Sequence, residues 1–218
     1  QQSRALQELG HLSRDRGDWQ AALGFYAQAV RANPALLASW QGQQRILSAR
    51  GDHYQAELIG RQIEQLQALP AALLAATDLI AQGKLVVAEQ RVRDFLKRHP
   101  HHIEAMRLLA DIGVRLGVLD DAELLLESAV AMAPEQLQLR VDYLQTLRKR
   151  QKFAAALEQA RYLLAQQPDN LQFKSLCAIE LMQTGDYQQA LALLDEVLVQ
   201  LPEEPVTLTT RGHAITTA

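Results

Sequence analysis

Residues 17 to 22 read Gly17-Asp18-Trp19-Gln20-Ala21-Ala22, and close copies of this stretch lie at 51–56 and 185–190. Weaker copies lie at 83–88, 117–122 and 151–156. The final alanines of the six copies are spaced by 34, 32, 34, 34 and 34 residues and are Ala22, Ala56, Ala88, Ala122, Ala156 and Ala190. A fixed period of this length is typical of an array of stacked structural repeats.

Prolines confirm the phase of this period. Twelve residues after five of the six alanines stand Pro34, Pro100, Pro134, Pro168 and Pro202. Because proline cannot continue a helix, these positions mark the ends of repeats. Apolar residues recur at helical spacing on both sides of each repeated glycine, so each repeat is predicted to be two helices joined at that glycine.

Three residue types in the repeated stretch have predicted structural roles. The glycine permits the left-handed backbone conformation that commonly ends a helix, and the following aspartate can cap the next helix. The alanine is small because the two helices are expected to cross there. One helical pair is too thin to bury its own apolar face, so neighbouring pairs must stack.

These features resemble the tetratricopeptide repeat (TPR) family, with the Trp40, Leu9-Gly10, Tyr26 and Pro34 positions matching its motif. The resemblance implies an all-α fold, an α-α superhelix or TPR solenoid of about six and a half repeats. Arg140 and Lys174 depart from the motif, because they occupy the places equivalent to Trp40. We expect their aliphatic stems to cover the core while their charges reach the solvent.

The expected domain organisation is a single array over 1–218. The predicted repeats are about 3–36, 37–68, 69–102, 103–136, 137–170 and 171–204, with the first helix of a seventh at 205–218. This last helix is mostly threonine and small apolar residues and stops before the expected turn glycine. A capping helix normally has a polar outer face, so we expect the chain to be a fragment cut from a longer array.

The repeats are also similar to the N-terminal array of bacterial TPR sulfotransferases, in the runs 95–100, 105–112, 121–127 and 212–214. That resemblance implies a substrate-recruiting or regulatory arm whose catalytic domain is absent from this chain. A third interpretation is a structural array that self-associates through its ends.

Composition excludes several classes of function. The 22 Lys and Arg residues against 25 Asp and Glu residues give a net charge of −3, which does not attract nucleic acid or anionic lipid. No apolar stretch approaches the roughly 20 residues of a membrane span. Cys177 is the only cysteine, so we expect no disulfide framework, a buried unreactive thiol and a cytoplasmic protein.

Few residues suggest site chemistry. The sequence has no phosphate-binding loop, zinc-protease motif or serine elbow, so we expect a non-enzyme without cofactors. His99, His101 and His102 are interpreted as a solvated loop, with a metal site as the alternative. The basic run 148–152 is interpreted as a solvated helix end, with a phosphate or an acidic partner as the alternative.

Function is therefore predicted to depend on shape. The TPR resemblance places the first helix of each repeat on a concave side, as a scaffold for a protein or peptide segment. The predicted groove residues are Gln7, His11, Gln41, Arg45, Leu73, Thr77, Ile80, Arg107, Asp111, Val114, Val141, Gln145, Arg148, Ile179, Met182 and His213. Because arginine recognises carboxylates and aliphatic side chains supply contact area, the predicted partner carries acidic and apolar side chains.

Overall fold

The computed structural model describes residues 2–203 and 205–217, and Gln1, Glu204 and Ala218 of the predicted 1–218 array lie outside it. These two ranges contain thirteen α-helices and no strand, which confirms the all-α fold class. The helices are α1 (Gln2–Asp15), α2 (Trp19–Ala32), α3 (Leu37–Ala49), α4 (His53–Ala68), α5 (Ala71–Ala81), α6 (Leu85–Leu96), α7 (Ile103–Leu116), α8 (Leu119–Met132), α9 (Leu137–Lys149), α10 (Phe153–Gln166), α11 (Leu171–Gln183), α12 (Tyr187–Gln200) and α13 (Pro205–Thr217).

The chain divides into two compact units, Gln1–Leu116 and Gly117–Ala218. Within the first unit, α1 packs on α2, α3 on α4 and α5 on α6. Within the second, α9 packs on α10 and α11 on α12. Second helices also pack on the first helix of the next repeat, as α2 does on α3 and α10 on α11. Neighbouring helical pairs therefore stack, as their thinness requires.

The turn glycines have the predicted left-handed conformation. Gly17, Gly51, Gly83, Gly117 and Gly185 have φ angles between 75° and 88°. After α1, the Gly17 N–H donates to the carbonyl oxygen of Arg14 and the Asp18 N–H to that of Ser13, both at 2.9 Å. This bonding satisfies carbonyl groups that a helix end leaves open, and it needs the positive φ that glycine adopts without strain.

The aspartates that follow three of these glycines are helix caps, as predicted. The Asp18 carboxylate accepts a hydrogen bond from the Ala21 N–H at 3.0 Å. Asp52 and Asp186 accept in the same way from the third residue after each, at 3.2 Å. Each cap satisfies one free N–H group in the first turn of a second helix.

The fifth repeat makes the same turn without glycine. Gln151 has a φ of 58°, and it is the residue other than glycine with positive φ in the described part of the chain. Its N–H donates to the Arg148 carbonyl oxygen and the Lys152 N–H to that of Leu147, both at 2.9 Å. The hydrogen bonds of the turn are thus kept although the residue is unsuited to this conformation.

We expect Gln151→Gly to raise the free energy of unfolding by about 1 kcal/mol, because a left-handed conformation costs roughly 1–2 kcal/mol for an L-residue. Gly51→Ala should lower it by a similar amount, since it introduces the same strain at an equivalent turn. Denaturant unfolding of both variants beside the parent measures these changes. A less stable Gln151→Gly variant would show that contacts of the glutamine side chain outweigh its backbone strain.

The repeated alanines are buried, as expected for a position of close helix packing. Their exposed fraction is zero except at Ala56, where it is 6%. In the second unit, Ala156 belongs to one apolar core with Leu144, Leu163 and Leu194, contributed by α9, α10 and α12. Small size at this position is therefore explained by packing rather than by helix propensity alone.

A tyrosine held between two glycines lies in the core of the first unit. Tyr26 on α2 is fully buried, and its hydroxyl oxygen lies 2.7 Å from Nδ1 of His11 in a shared hydrogen bond. A Cβ atom at Gly10 would stand 2.5 Å from the ring atom Cε1, and one at Gly42 would stand 2.6 Å from Cε2. The ring fits between α1 and α3 because neither helix has a side chain there.

The two charged residues at the tryptophan-equivalent position are paired within their own repeats. Nζ of Lys174, which is buried, donates to the Glu196 carboxylate at 2.6 Å. The Arg140 guanidinium lies over the Tyr162 ring, 3.6 Å from its centroid, and donates to Gln159 Oε1 at 2.7 Å. In both repeats the second helix supplies the partner of the charged group.

Candidate functional site

The candidate surface consists of predicted groove residues on the first helices, and each unit presents its own part of it. In the second unit, Gln145 on α9 is exposed, as is His213 on α13. On α11, Ile179 and Met182 are half-buried, and so is Ser175 one turn earlier. The spacing of 175, 179 and 182 places these three side chains on one helix face.

The first unit presents a more polar set of groove residues. Arg45 and Asp111 are exposed, and the half-buried members are Gln7, His11, Gln41, Thr77, Arg107 and Val114. Two of these side chains already have hydrogen-bond partners. Gln7 Oε1 accepts from the Ser39 hydroxyl of the next repeat at 3.1 Å, and His11 shares a hydrogen bond with Tyr26 of its own repeat. This face is therefore partly fixed by its own hydrogen bonds.

Three predicted contact residues are in the core instead. Leu73 is fully buried, and Ile80 and Val141 are 7% and 3% exposed. The helical spacing placed them opposite the core, but a first helix packs both on its own second helix and on helices of neighbouring repeats. Val141 accordingly joins the apolar core that contains Leu144 and Leu147. These three residues offer no contact area to a partner.

Two charged groove residues of α7 pair within that helix. Arg107 donates to both carboxylate oxygens of Glu104, at 3.0 and 2.8 Å, and the Arg115 Nε donates to Asp111 at 3.0 Å. Salt bridges of this exposure contribute about 0–1 kcal/mol to stability. A charged group of a partner protein could therefore replace one member of either salt bridge at small cost.

Arg148, the third predicted arginine, holds a buried carboxylate. Its Nε donates to Oε1 of Glu180 at 2.5 Å, and Glu180 is fully buried between α9 and α11. The other oxygen, Oε2, has no hydrogen-bond partner among the described residues. Burial raises the pKa of Glu180 above its ordinary value, although Arg148 acts in the opposite direction.

Sequence reasoning missed Glu180, although a signal was present. Glu180 is the one charged residue in the apolar run 176–182. A charge at such a position is seldom buried without a partner. The partner lies 32 residues earlier, close to one repeat period, so a search for opposite charges one period apart would have found the pair.

The basic run at 148–152 is a network of internal ion pairs rather than a solvated helix end. Arg150 and Lys152 both donate to the carboxylate of Glu123 on α8, at 2.5 and 2.7 Å, and Arg150 also pairs with Asp120. Burial alone would raise the pKa of Glu123, but these hydrogen bonds lower it below its ordinary value. The run therefore ties the α9–α10 turn to α8.

His99 and His102, two of the three histidines near Pro100, have local structural roles, whereas His101 is exposed. The His102 Nδ1 accepts a hydrogen bond from the Ala105 N–H at 3.3 Å, at the start of α7. The rings of His99 and His102 pack on Phe95, with centroid distances of 4.6 and 5.1 Å. In residues 2–203 and 205–217, no group of three or more His, Cys, Asp or Glu residues is placed to hold a metal ion.

Cys177 is buried, as predicted, and burial raises the pKa of its thiol. A raised pKa lowers the thiolate fraction, so this cysteine is a poor nucleophile. Among the helices of the described ranges, none combines the length and the apolar character needed to cross a bilayer.

A family model described as the cytochrome c-type biogenesis protein H TPR domain matches residues 84–207, more than half of the chain. The chain belongs to this TPR family. A second model, described as a tetratricopeptide repeat, matches residues 5–37 of the same TPR protein. Membership of the TPR family, expected from the sequence, is thus confirmed, whereas the similarity to sulfotransferase arrays stays a prediction. No curated protein matches the sequence.

Several solved structures share the fold of this TPR protein at low identity. A chain of the APC/C hetero-tetramer Cut9–Hcn1 matches 98% of it with 13% identity and a TM-score of 0.58, and this protein spans 42% of that chain. TTC0263, a TPR protein of Thermus thermophilus, matches 98% of this chain and is itself covered over 99% of its length, with 17% identity and a TM-score of 0.52. MamA from Desulfovibrio magneticus RS-1 matches 67% of this chain and is itself covered over 85% of its length, with 12% identity and a TM-score of 0.61. These identities establish the TPR fold alone.

Proposed function

We propose that this TPR protein is a non-catalytic module that binds an extended or helical segment of another protein through the first helices of its repeats. The observation that carries the proposal is the half-buried face of α11 formed by Ser175, Ile179 and Met182, in which two of the three side chains are apolar. Aliphatic side chains at such spacing suit the anchor residues of an amphipathic partner helix.

The partner is proposed to carry apolar anchors together with some acidic side chains. Ile179 and Met182 supply apolar area, which contributes most of the affinity in interfaces of this kind. Arg45 is exposed and makes no ion pair among the described residues, so it is available to a carboxylate. Arg107 and Arg148 have carboxylate partners of their own, so an acidic group would have to compete with Glu104 or Glu180.

The family match favours a second, more specific role. Because the model over 84–207 describes a TPR domain of cytochrome c-type biogenesis protein H, the bound protein is proposed to be a component or substrate of cytochrome c-type biogenesis. The sulfotransferase arm and the self-associating array stay predictions.

Site-specific photo-crosslinking in cells that express the protein tests both roles. Benzoylphenylalanine placed at Gln145 on α9 or Gln183 on α11 is expected to form a covalent adduct with a partner protein. Gln166 on α10 and Gln188 on α12 are matched controls, because they are also exposed glutamines but lie on second helices. Adducts at the second helices alone would contradict the proposed surface, and mass spectrometry of an adduct shows whether the partner belongs to cytochrome c-type biogenesis.

A further inference from the structure

An unusual contact joins the third repeat to the first. Asp78 on α5 accepts a hydrogen bond at 2.6 Å from Nδ2 of Asn33, the residue that ends α2. Its other carboxylate oxygen accepts from Nη2 of Arg4 on α1 at 3.3 Å. In a repeat array, contacts normally join adjacent repeats, so a carboxylate that reaches over the second repeat needs an explanation.

The donor groups around this carboxylate are organised by the first repeat itself. Asn33 is 1% exposed, and its Oδ1 accepts from the Ala35 N–H at 3.0 Å, which turns the Nδ2 donor towards Asp78. The Arg4 side chain is 67% exposed and adds a positive charge from the solvent side. A positioned amide donor beside an exposed guanidinium is suited to any carboxylate, not only to the one present.

The polar link between α5 and the first repeat depends on one side chain. All hydrogen bonds and ion pairs that join them in the described part of the chain end on Asp78. Leu73, Ala76 and Ile80 of α5 are buried, and this helix packs on α6 and contacts α7. Asp78 is one-quarter exposed and also accepts from Gln82 at 2.7 Å, so it would keep a partner after leaving the first repeat.

We propose that Arg4 and Asn33 form a carboxylate-binding site, which Asp78 occupies in the free protein and an acidic side chain of a partner protein occupies in the complex. This inference rests on the proposed function, because it identifies which acidic group of the partner is recognised and where. The exchange replaces one carboxylate by another, so the hydrogen bonds to Arg4 and Asn33 are kept. Its cost is therefore small compared with the apolar contact that a partner adds.

Acetate rescue tests whether the site binds a separate carboxylate. Asp78→Ala removes the carboxylate that Arg4 and Nδ2 of Asn33 bind. We expect 0.2 M sodium acetate to raise the melting temperature of this variant by about 2 °C more than sodium chloride does. The parent should show no such difference, because Asp78 fills the site. The matched control is Asp111→Ala, which removes an aspartate paired only within α7. Equal effects of acetate and chloride on Asp78→Ala would overturn the proposal.

A peptide pair tests whether Asp78 competes with a partner. The probe is acetyl-Glu-Leu-Glu-Glu-Leu-Glu-amide, and the reference has glutamine at each glutamate. Asp78→Ala should bind the acidic probe about ten-fold more tightly than the parent does, with no change for the reference, since the internal competitor is gone. Adding Arg4→Ala should remove the gain. Asp78→Asn keeps the side-chain volume and replaces Asp78→Ala if that variant does not fold.

The outcomes separate this inference from the proposed function. If Asp111→Ala binds the acidic peptide as much more tightly as Asp78→Ala does, the gain in affinity reflects net charge alone. If neither variant gains affinity, Asp78 does not compete with a partner. Either result overturns the inference. Crosslinks from Gln145 and Gln183 would still support the proposed function in that case. Acetate rescue and the peptide gain without such crosslinks would refute the proposed surface but leave the carboxylate-binding site.

Discussion

Arg148→Ala is expected to lower the free energy of unfolding by about 3 kcal/mol at neutral pH, because it leaves the fully buried Glu180 carboxylate without its cation. The loss lies at the lower end of the range for buried pairs, since the Arg148 side chain is 30% exposed. Denaturant unfolding at pH 7 measures it. Arg107→Ala is the control, because Arg107 pairs within its own helix with the half-exposed Glu104, and its loss should stay within about 1 kcal/mol.

The pH dependence gives the cause of the Arg148→Ala effect. The pKa of Glu180 is raised by burial, so the folded state binds its proton more tightly than the unfolded state does. This carboxyl group therefore lowers stability above its folded pKa and ceases to do so as the pH falls towards the unfolded value. The variant should regain stability relative to the parent between neutral and mildly acidic pH. Glu180→Gln added to Arg148→Ala should recover most of the loss at pH 7, and an unchanged loss in both tests would attribute it to packing.

Gly42→Ala is expected to destabilise the first unit by about 2–3 kcal/mol through overpacking. The added Cβ would stand 2.6 Å from the Tyr26 ring, and the ring cannot move away because the position of Gly10 is equally close on the other side. Gly24→Ala is the matched control, since a Cβ at this α2 position meets no atom within 4 Å and should stabilise the helix by about 0.5–1 kcal/mol.

A double-mutant cycle measures how far the Gly42→Ala effect depends on the ring. In a Tyr26→Leu background the smaller side chain should relieve the contact, so Gly42→Ala should cost much less there than in the parent. The same cost in both backgrounds would show that the substitution acts on α3 alone.

The repeat period predicted most of the fold because the residues that define it act locally. Gly17, Asp18 and Ala22 each end, start or space a helix through contacts within a few residues or with the adjacent helix, so their roles can be derived from the sequence. Gln151 shows the limit of this reasoning, since the turn persists where the glycine is missing. Hydrogen bonds and packing of the flanking helices maintain it at the cost of strain.

The candidate site was harder to predict because exposure depends on neighbours that a single repeat does not identify. Leu73 and Val141 satisfy the spacing of an outward face but are buried by adjacent helices. Arg148 was assigned to a partner protein, whereas its carboxylate is Glu180, one repeat later. Asp78 contacts a repeat that is not adjacent, and no periodic pattern contains such information.

The Asp78 contact also changes how the first repeats are expected to unfold. Arrays in which each repeat touches only its neighbours can lose their terminal repeats one at a time. Bonds from Asp78 to Asn33 and Arg4 span 45 and 74 residues, which adds an interaction between first and third repeats to those between neighbours. Fraying of the first repeat therefore breaks bonds to the third repeat as well as contacts with the second, so Asp78 adds a coupling to the first three repeats that stacking of neighbours alone does not supply.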